Sequence, residues 1–163
     1  MRSEQEVSEA IDRYADTVKR LCAIHLKNHA DTEDVFQTVF IKYAFRSPEF
    51  ESTEHEKAWI IRVTVNACKD LLKSSFRKRT VSFDEMVENS YEENTESADV
   101  IEAVKELPKK YRDVVYLYFY EGYTAVQIGK ILSKNVNTVY TYIDRSKKML
   151  RERLGGDGFG KKV

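Results

Sequence analysis

Apolar residues recur at intervals of three and four along most of the chain, the signature of amphipathic helices. Between residues 8 and 27, Ile11, Tyr14, Val18, Leu21 and His25 fall on one stripe, with polar residues around the rest of the cylinder. A surface helix is predicted there. After a polar break at Asn28 to Asp31, Asp31 is placed to cap a second helix whose members Val35, Phe36, Val39, Phe40 and Tyr43 share a face. That helix ends before Ser47-Pro48. A third helix, over residues 54–75, carries two stripes: Ile61, Val65, Cys68 and Leu72, and separately Trp59, Arg62, Asn66 and Asp70. The first stripe reads as core. The second sets an aromatic, a cation, an amide and an acid on one line, which burial alone does not require.

From Ser74 to about Asn94 the periodicity fades and Ser, Asn, Thr and acids accumulate. It returns with Ala98, Ile101, Val104 and Leu107, and Pro108 opens a new helix at its first position, where a missing N–H costs nothing. The segment Val114 to Tyr120 has strand propensity, but Pro108 before it and Glu121-Gly122 after it favour a helix. Thr124 and Gln127 have capping-box spacing, which predicts a short helix over 125–132. A turn through Ser133 and Lys134 follows, then Asn135 caps a last helix over 136–154 with Val139, Ile143, Leu150 and Leu154 inward. The expected fold is all-α. It comprises two small domains, 1–75 and 96–154, joined by a flexible acidic linker over 76–95 and followed by a disordered tail at 155–163.

A short helix, a tight turn and a longer basic helix describe a helix-turn-helix unit, whose second helix reads the major groove; an ordinary helical hairpin fits the same pattern. Gly129 adds to the case, because glycine within a helix costs about 1 kcal/mol relative to alanine and so implies close packing.

Composition narrows the classes. With 42% hydrophobic and 33% charged residues, six Gly and two Pro, the chain suits helices rather than turn-rich sheets. No apolar run approaches a membrane span and residues 1–10 lack the order of a signal peptide, so a cytoplasmic protein with no membrane insertion is expected. Cys22 and Cys68 read as reduced core residues, and His25, His29 and His55 have no companions at ligand spacing. No metal and no cofactor are expected. The net charge is zero, yet it is segregated: residues 107–163 hold twelve Lys/Arg against five Asp/Glu, and residues 81–106 hold one Lys against nine acids. A basic C-terminal part is what phosphate binding needs.

Several segments together resemble the extracytoplasmic-function class of bacterial sigma factors. They are the run Asp31-Thr32-Glu33-Asp34-Val35-Phe36-Gln37-Thr38-Val39-Phe40, the spacing Trp59, Arg62, Asn66, Asp70, and Leu107-Pro108 with Tyr111-Arg112. The Glu121-Gly122 step and the Thr138-Val139 pair follow in order. The resemblance implies a helical region 2-like domain and a C-terminal region 4-like helix-turn-helix domain. Asp34 and Gln37 would then dock onto core RNA polymerase. Trp59, Arg62 and Asn66, with the loop Pro48 to His55, would handle the melted minus-ten element, although Trp59 serves equally as a core anchor. Tyr140, Thr141, Asp144 and Arg145 would face bases of the minus-thirty-five element, with Thr138, Lys147 and Lys148 near its phosphates. The sequence departs from the family at Tyr140, Tyr142 and Asp144, where basic, polar or histidine residues are common, and at Lys134, where an apolar one is. An acid at 144 either accepts from a cytosine amine or lies aside. Promoter DNA, core polymerase and an anti-sigma factor are the partners implied.

Two other classes compete. A stand-alone helix-turn-helix regulator needs its own DNA affinity and usually dimer symmetry, and it leaves the Trp59 stripe without a purpose. An enzyme needs a nucleophile, base or metal constellation, and the sequence shows no motif that assembles one.

Overall fold

The computed structural model describes residues 1–77 and 95–153, and every structural statement below concerns those residues. They are helical, with no strand, and the chain divides into two compact units, Met1–Tyr91 and Glu92–Val163. The linker expected over 76–95 lies outside the described residues apart from its ends, where Arg77 still closes one helix and Thr95 already opens the next. The expected tail at 155–163, and Leu154 with it, lie outside them too.

The first unit is a three-helix bundle: α1 (Glu4–His25), α2 (His29–Arg46) and α3 (Thr53–Arg77), each packed on the other two. A capping box starts α1, with the Ser3 hydroxyl accepting from the Glu6 amide and the Glu6 carboxylate accepting from that of Ser3. Helix α2 begins earlier than expected because Asn28, not Asp31, is its cap. The Asn28 side-chain oxygen accepts from the Asp31 amide at 2.8 Å, and the Asp31 carboxylate accepts from the Asn28 side-chain amide at 3.1 Å. Asp31 thus sits in the first turn, where its charge suits the helix dipole.

Tyr14, Val18, Cys22, Val39, Ile60 and Cys68 meet in the core, and full burial of such a side chain contributes about 1.5–3 kcal/mol. The buried face of α3 is wider than its Ile61–Val65–Cys68 stripe, taking in Ile60 and Thr64 as well. Thr64 is admitted because its hydroxyl donates to the Ile60 carbonyl at 2.7 Å. Leu72 is only half-buried.

Glu56 ties the three helices together at one end of the bundle. Its Oε1 accepts from the Tyr14 hydroxyl of α1 and from the Arg13 guanidinium, both at 2.7 Å, and its Oε2 accepts from the Tyr43 hydroxyl of α2 at 2.9 Å. Burial pushes the Glu56 carboxyl up, but the three hydrogen bonds outweigh it and hold the group below the usual carboxylate range. For Tyr43 both effects act in one direction: burial, then the Glu56 carboxylate, push its hydroxyl up to about 12.

The second unit comprises α4 (Thr95–Lys105), α5 (Lys109–Val115), a π-helical segment (Tyr116–Tyr120), α6 (Ala125–Leu132) and α7 (Val136–Arg153). Pro108 stands one position ahead of its expected place, as the residue before α5. Arg112 donates to the carbonyls of Lys105 and Leu107 at 2.7 and 2.9 Å, supplying the partners that the end of α4 lacks. The Val114–Tyr120 segment is helical as expected, but its last five residues widen to π geometry, a form common at single irregular turns. Gly122, at φ +79°, then lets the chain reverse. The capping box of Thr124 and Gln127 opens α6 as its spacing predicts.

Candidate nucleic-acid interface

On the first unit, α3 presents its polar stripe away from the core. Arg62, Asn66 and Asp70 are exposed, and Trp59 is half-buried. Trp59 serves as both anchor and surface: its ring meets Tyr43 and Phe50 edge-on, at centroid distances of 6.2 and 5.7 Å. Phe50 belongs to the loop between α2 and α3 and also packs against His55 at 5.3 Å. An aromatic cluster therefore lies beside the loop, adjoining a cation and an amide, which are the groups that take up an unstacked base and its phosphate.

Asp34 and Gln37 are exposed on α2. Asp34 lines a shallow depression between α2 and α3 together with Thr38, Lys42 and Asp70, so the acid at the end of the α3 stripe shares a groove with the α2 acid. The same face of α2 continues through Ile41 and Phe45, which are 58% and 63% exposed. These two apolar residues were missed in the sequence, where they look like ordinary members of an apolar-rich helix. Their exposure beside Asp34 is visible only once α2 is docked.

On the second unit, α6, the turn and α7 form the helix-turn-helix. Gly129 is required by the turn rather than by the crossing of the helices themselves. A Cβ there would lie 2.9 Å from the Lys134 carbonyl oxygen, and the Lys134 amide donates back to the Gly129 carbonyl at 2.9 Å. Asn135 turns the chain into α7, its side-chain oxygen accepting from the Asn137 amide at 2.8 Å. Val139, Ile143 and Leu150 face inward.

Tyr140, Thr141, Asp144, Arg145 and Lys148 are exposed on α7, with Thr138 and Lys147 half-buried. Asp144 is paired with Lys148 at 3.8 Å, which offsets the acid's charge on this exposed face. Thr141 donates to the Asn137 carbonyl at 3.0 Å. Two of the cations are held by aromatic rings or hydroxyls. The Lys147 ammonium lies 5.9 Å from the Tyr118 ring, and the positive Arg145 guanidinium beside the Tyr111 hydroxyl holds that hydroxyl below the usual phenol range. The departures at 134 and 142 explain one another: Tyr142 packs edge-on against Tyr111 at 4.9 Å, and the Lys134 ammonium lies over the Tyr142 ring at 5.7 Å.

No group of His, Cys, Asp and Glu among the described residues is arranged to hold a metal, and no described helix is long and apolar enough to cross a membrane.

Comparison with known proteins agrees with this geometry. Residues 10–79 match the family described as Sigma-70 region 2, and residues 97–150 match Sigma-70, region 4. The chain is 32% identical over 139 residues to the RNA polymerase sigma factor SigV of Bacillus subtilis, covering 83% of this chain and 82% of that protein. It is 24% identical over 164 residues to the ECF RNA polymerase sigma factor SigW of the same organism, covering 90% and 88%. Its fold is similar to that of the sigma factor RpoE solved in complex with the anti-sigma factor NepR from Bartonella quintana. That match has a TM-score of 0.75 and 17% identity over 94% of this chain and 99% of that one. It is also similar to CnrH, solved with the cytosolic domain of CnrY, at a TM-score of 0.66 and 19% identity over 96% and 92%.

Proposed function

The chain belongs to the sigma-70 family as an extracytoplasmic-function sigma factor, and from that premise we propose how its surfaces divide the work of promoter recognition. Core RNA polymerase supplies the synthesis of RNA, and this chain supplies specificity without a reaction of its own. The exposed face of α2, with Asp34 and Gln37, docks on the polymerase. The α3 stripe Trp59, Arg62 and Asn66, with the segment Pro48 to His55 that runs from the α2–α3 loop into the first turn of α3, receives the melted minus-ten element. The exposed face of α7 enters the minus-thirty-five major groove. There Tyr140, Thr141, Asp144 and Arg145 lie toward base edges and Thr138, Lys147 and Lys148 toward phosphates.

The observation that carries this reading is the two-sidedness of α3. One face is fully buried, while the opposite face keeps an indole, a guanidinium and an amide in line beside a loop-borne aromatic cluster. A folding role uses the first face and the anchored part of the indole. Domains 1–75 and 96–154 act as separate modules, and tethering to polymerase raises their effective concentration at the promoter, so a nearly neutral chain binds DNA poorly alone yet well in the holoenzyme. This also separates it from a stand-alone regulator. Two structural relatives were solved with partner proteins, one of them a named anti-sigma factor; we infer a similar antagonist here, acting in the cytoplasm where polymerase and promoter are found.

Paired variants test the division of labour. Asp34→Lys weakens binding to core polymerase while the fold survives, and Arg62→Ala lowers open-complex formation with core binding retained. If Asp34→Lys leaves core affinity unchanged, or Arg62→Ala lowers core binding and melting alike, the assignment is wrong.

A further inference from the structure

Arg2 was not singled out by any motif, yet its backbone and its side chain both make directed contacts. Its backbone amide donates to the Ala44 carbonyl at 2.8 Å, near the end of α2. Its Nε donates to the Ser47 hydroxyl at 2.7 Å, a terminal nitrogen donates to the Pro48 carbonyl, and the other lies 3.6 Å from Glu6. All three guanidinium nitrogens are thus committed. The guanidinium also lies 5.0 Å from the ring centres of both Tyr43 and Phe50. Its side chain is only 15% exposed.

These contacts converge on the first half of the α2–α3 loop. The Ser47 hydroxyl passes the tie onward, donating to the Tyr43 carbonyl at 2.6 Å. The second half of the loop is fastened independently, through the Glu51 amide to His55 Nδ1 at 3.2 Å and the His55 amide to the Ser52 hydroxyl at 3.1 Å. Between the two fastenings sits Phe50, whose ring touches Tyr43, His55 and Trp59. A loop of this kind carries few backbone hydrogen bonds of its own, so its conformation depends on such side-chain ties. Binding by a preformed surface avoids the ordering entropy that a loose loop would incur.

We propose that Arg2 is a positioning residue for promoter melting. It clasps the loop 47–50 so that Phe50 and Trp59 stand in the geometry that accepts an unstacked base. The inference rests on reading the segment Pro48 to His55 as part of the minus-ten surface. Arginine is needed rather than lysine because the tie uses a planar fork with several donors, stacked on two rings, which an ammonium cannot reproduce.

The test uses the full chain assembled with core polymerase on a promoter fragment recovered by start-site mapping with that same holoenzyme. Arg2→Ala, Arg2→Lys and Phe50→Ala are compared for core affinity, for the rate of open-complex formation read by permanganate reactivity of thymines, and for amide hydrogen exchange. Arg2→Ala is expected to slow open-complex formation by about tenfold, since small misplacements at a reacting site are costly. Core affinity is expected to stay the same, and faster exchange to be confined to amides of residues 49–52. Arg2→Lys falls between the two. Unchanged melting in Arg2→Ala with impaired melting in Phe50→Ala overturns the clasp while leaving the loop's role intact. Unchanged melting in both overturns the reading of the loop and the clasp with it. An equal loss of core affinity and melting, with exchange raised throughout the bundle, makes Arg2 a fold residue only and also overturns the proposal.

Discussion

Removing the Glu56 carboxylate should loosen the first unit far more than its position in the first turn of a helix suggests. Glu56→Ala strands the hydroxyls of Tyr14 and Tyr43, residues that are 2% and 3% exposed. Each stranded buried hydroxyl costs about 1–3 kcal/mol. The Arg13 pair, half-exposed on the cation's side, adds only about 0–1 kcal/mol. Rotation of the hydroxyls toward the edge of the bundle recovers part of this, so a net loss of about 3 kcal/mol is expected. Trp59 is the only tryptophan in the chain and packs in the first unit. Its fluorescence in a urea titration of the full chain therefore reports that unit by itself. Glu49→Ala, at an exposed position, is the control and should shift the midpoint by under about 0.5 kcal/mol. A cycle with Tyr14→Phe should be non-additive, because the two side chains share one bond. A Glu56→Ala loss no larger than the control, or strict additivity with Tyr14→Phe, would refute the argument that this carboxylate joins the helices.

Acid should act through the same group: the folded-state pKa of Glu56 is lowered, so its contribution is complete above the ordinary carboxylate value of 4.5 and is lost as pH falls through the lower folded value. Trp59-monitored stability should fall more steeply in that acid range for the parent than for Glu56→Gln, and parallel curves would contradict this. At the alkaline end, Tyr43 is raised from 10.0 to about 12, so its share of the stability is present below 10.0 and fades as pH climbs through about 12; Tyr43→Phe should lessen the alkaline decline, the rest of which belongs to Tyr14, also raised by burial and by Glu56. In the second unit, Gly129→Ala gains about 1 kcal/mol of helix propensity but forces a Cβ to 2.9 Å from a backbone oxygen, a crowding cost of about 1–3 kcal/mol. Net destabilisation in far-UV circular dichroism melts is expected, and a more stable variant would count against the close approach. Ser146 buries a hydroxyl with no hydrogen-bond partner among the described residues, so Ser146→Ala should raise stability by about 1 kcal/mol in the same melts; a loss would mean that the hydroxyl is satisfied.

Much of the helical layout was legible because its signals are local. The Thr124–Gln127 box, the Ser47-Pro48 stop and the α7 stripe each lie within a few residues, and the Trp59 stripe needs only the period of one helix. The misses share a cause in non-local geometry. Asn28 and Asp31 are both good caps in isolation, and the choice between them depends on where α1 releases the chain. The π widening at Tyr116–Tyr120 leaves no mark on an apolar run whose every residue suits either ladder. Nothing in the sequence around Glu56 marks it out, because the tyrosines that claim it come from two other helices. Arg2 meets Ser47 across 45 positions, a distance that no spacing rule spans. Sequence reasoning thus reached the exposed stripes that the period of one helix defines, and it missed the contacts that bring side chains together from different helices.

The central claim is that two modules on this chain redirect an RNA polymerase made of other proteins. Purified chain added to core polymerase on a library of random upstream sequences, followed by mapping of RNA 5′ ends, tests it most directly. The account predicts new start sites preceded by two shared sequence elements at one fixed spacing, absent with core alone. A start-site pattern indistinguishable from that of core polymerase by itself would contradict it.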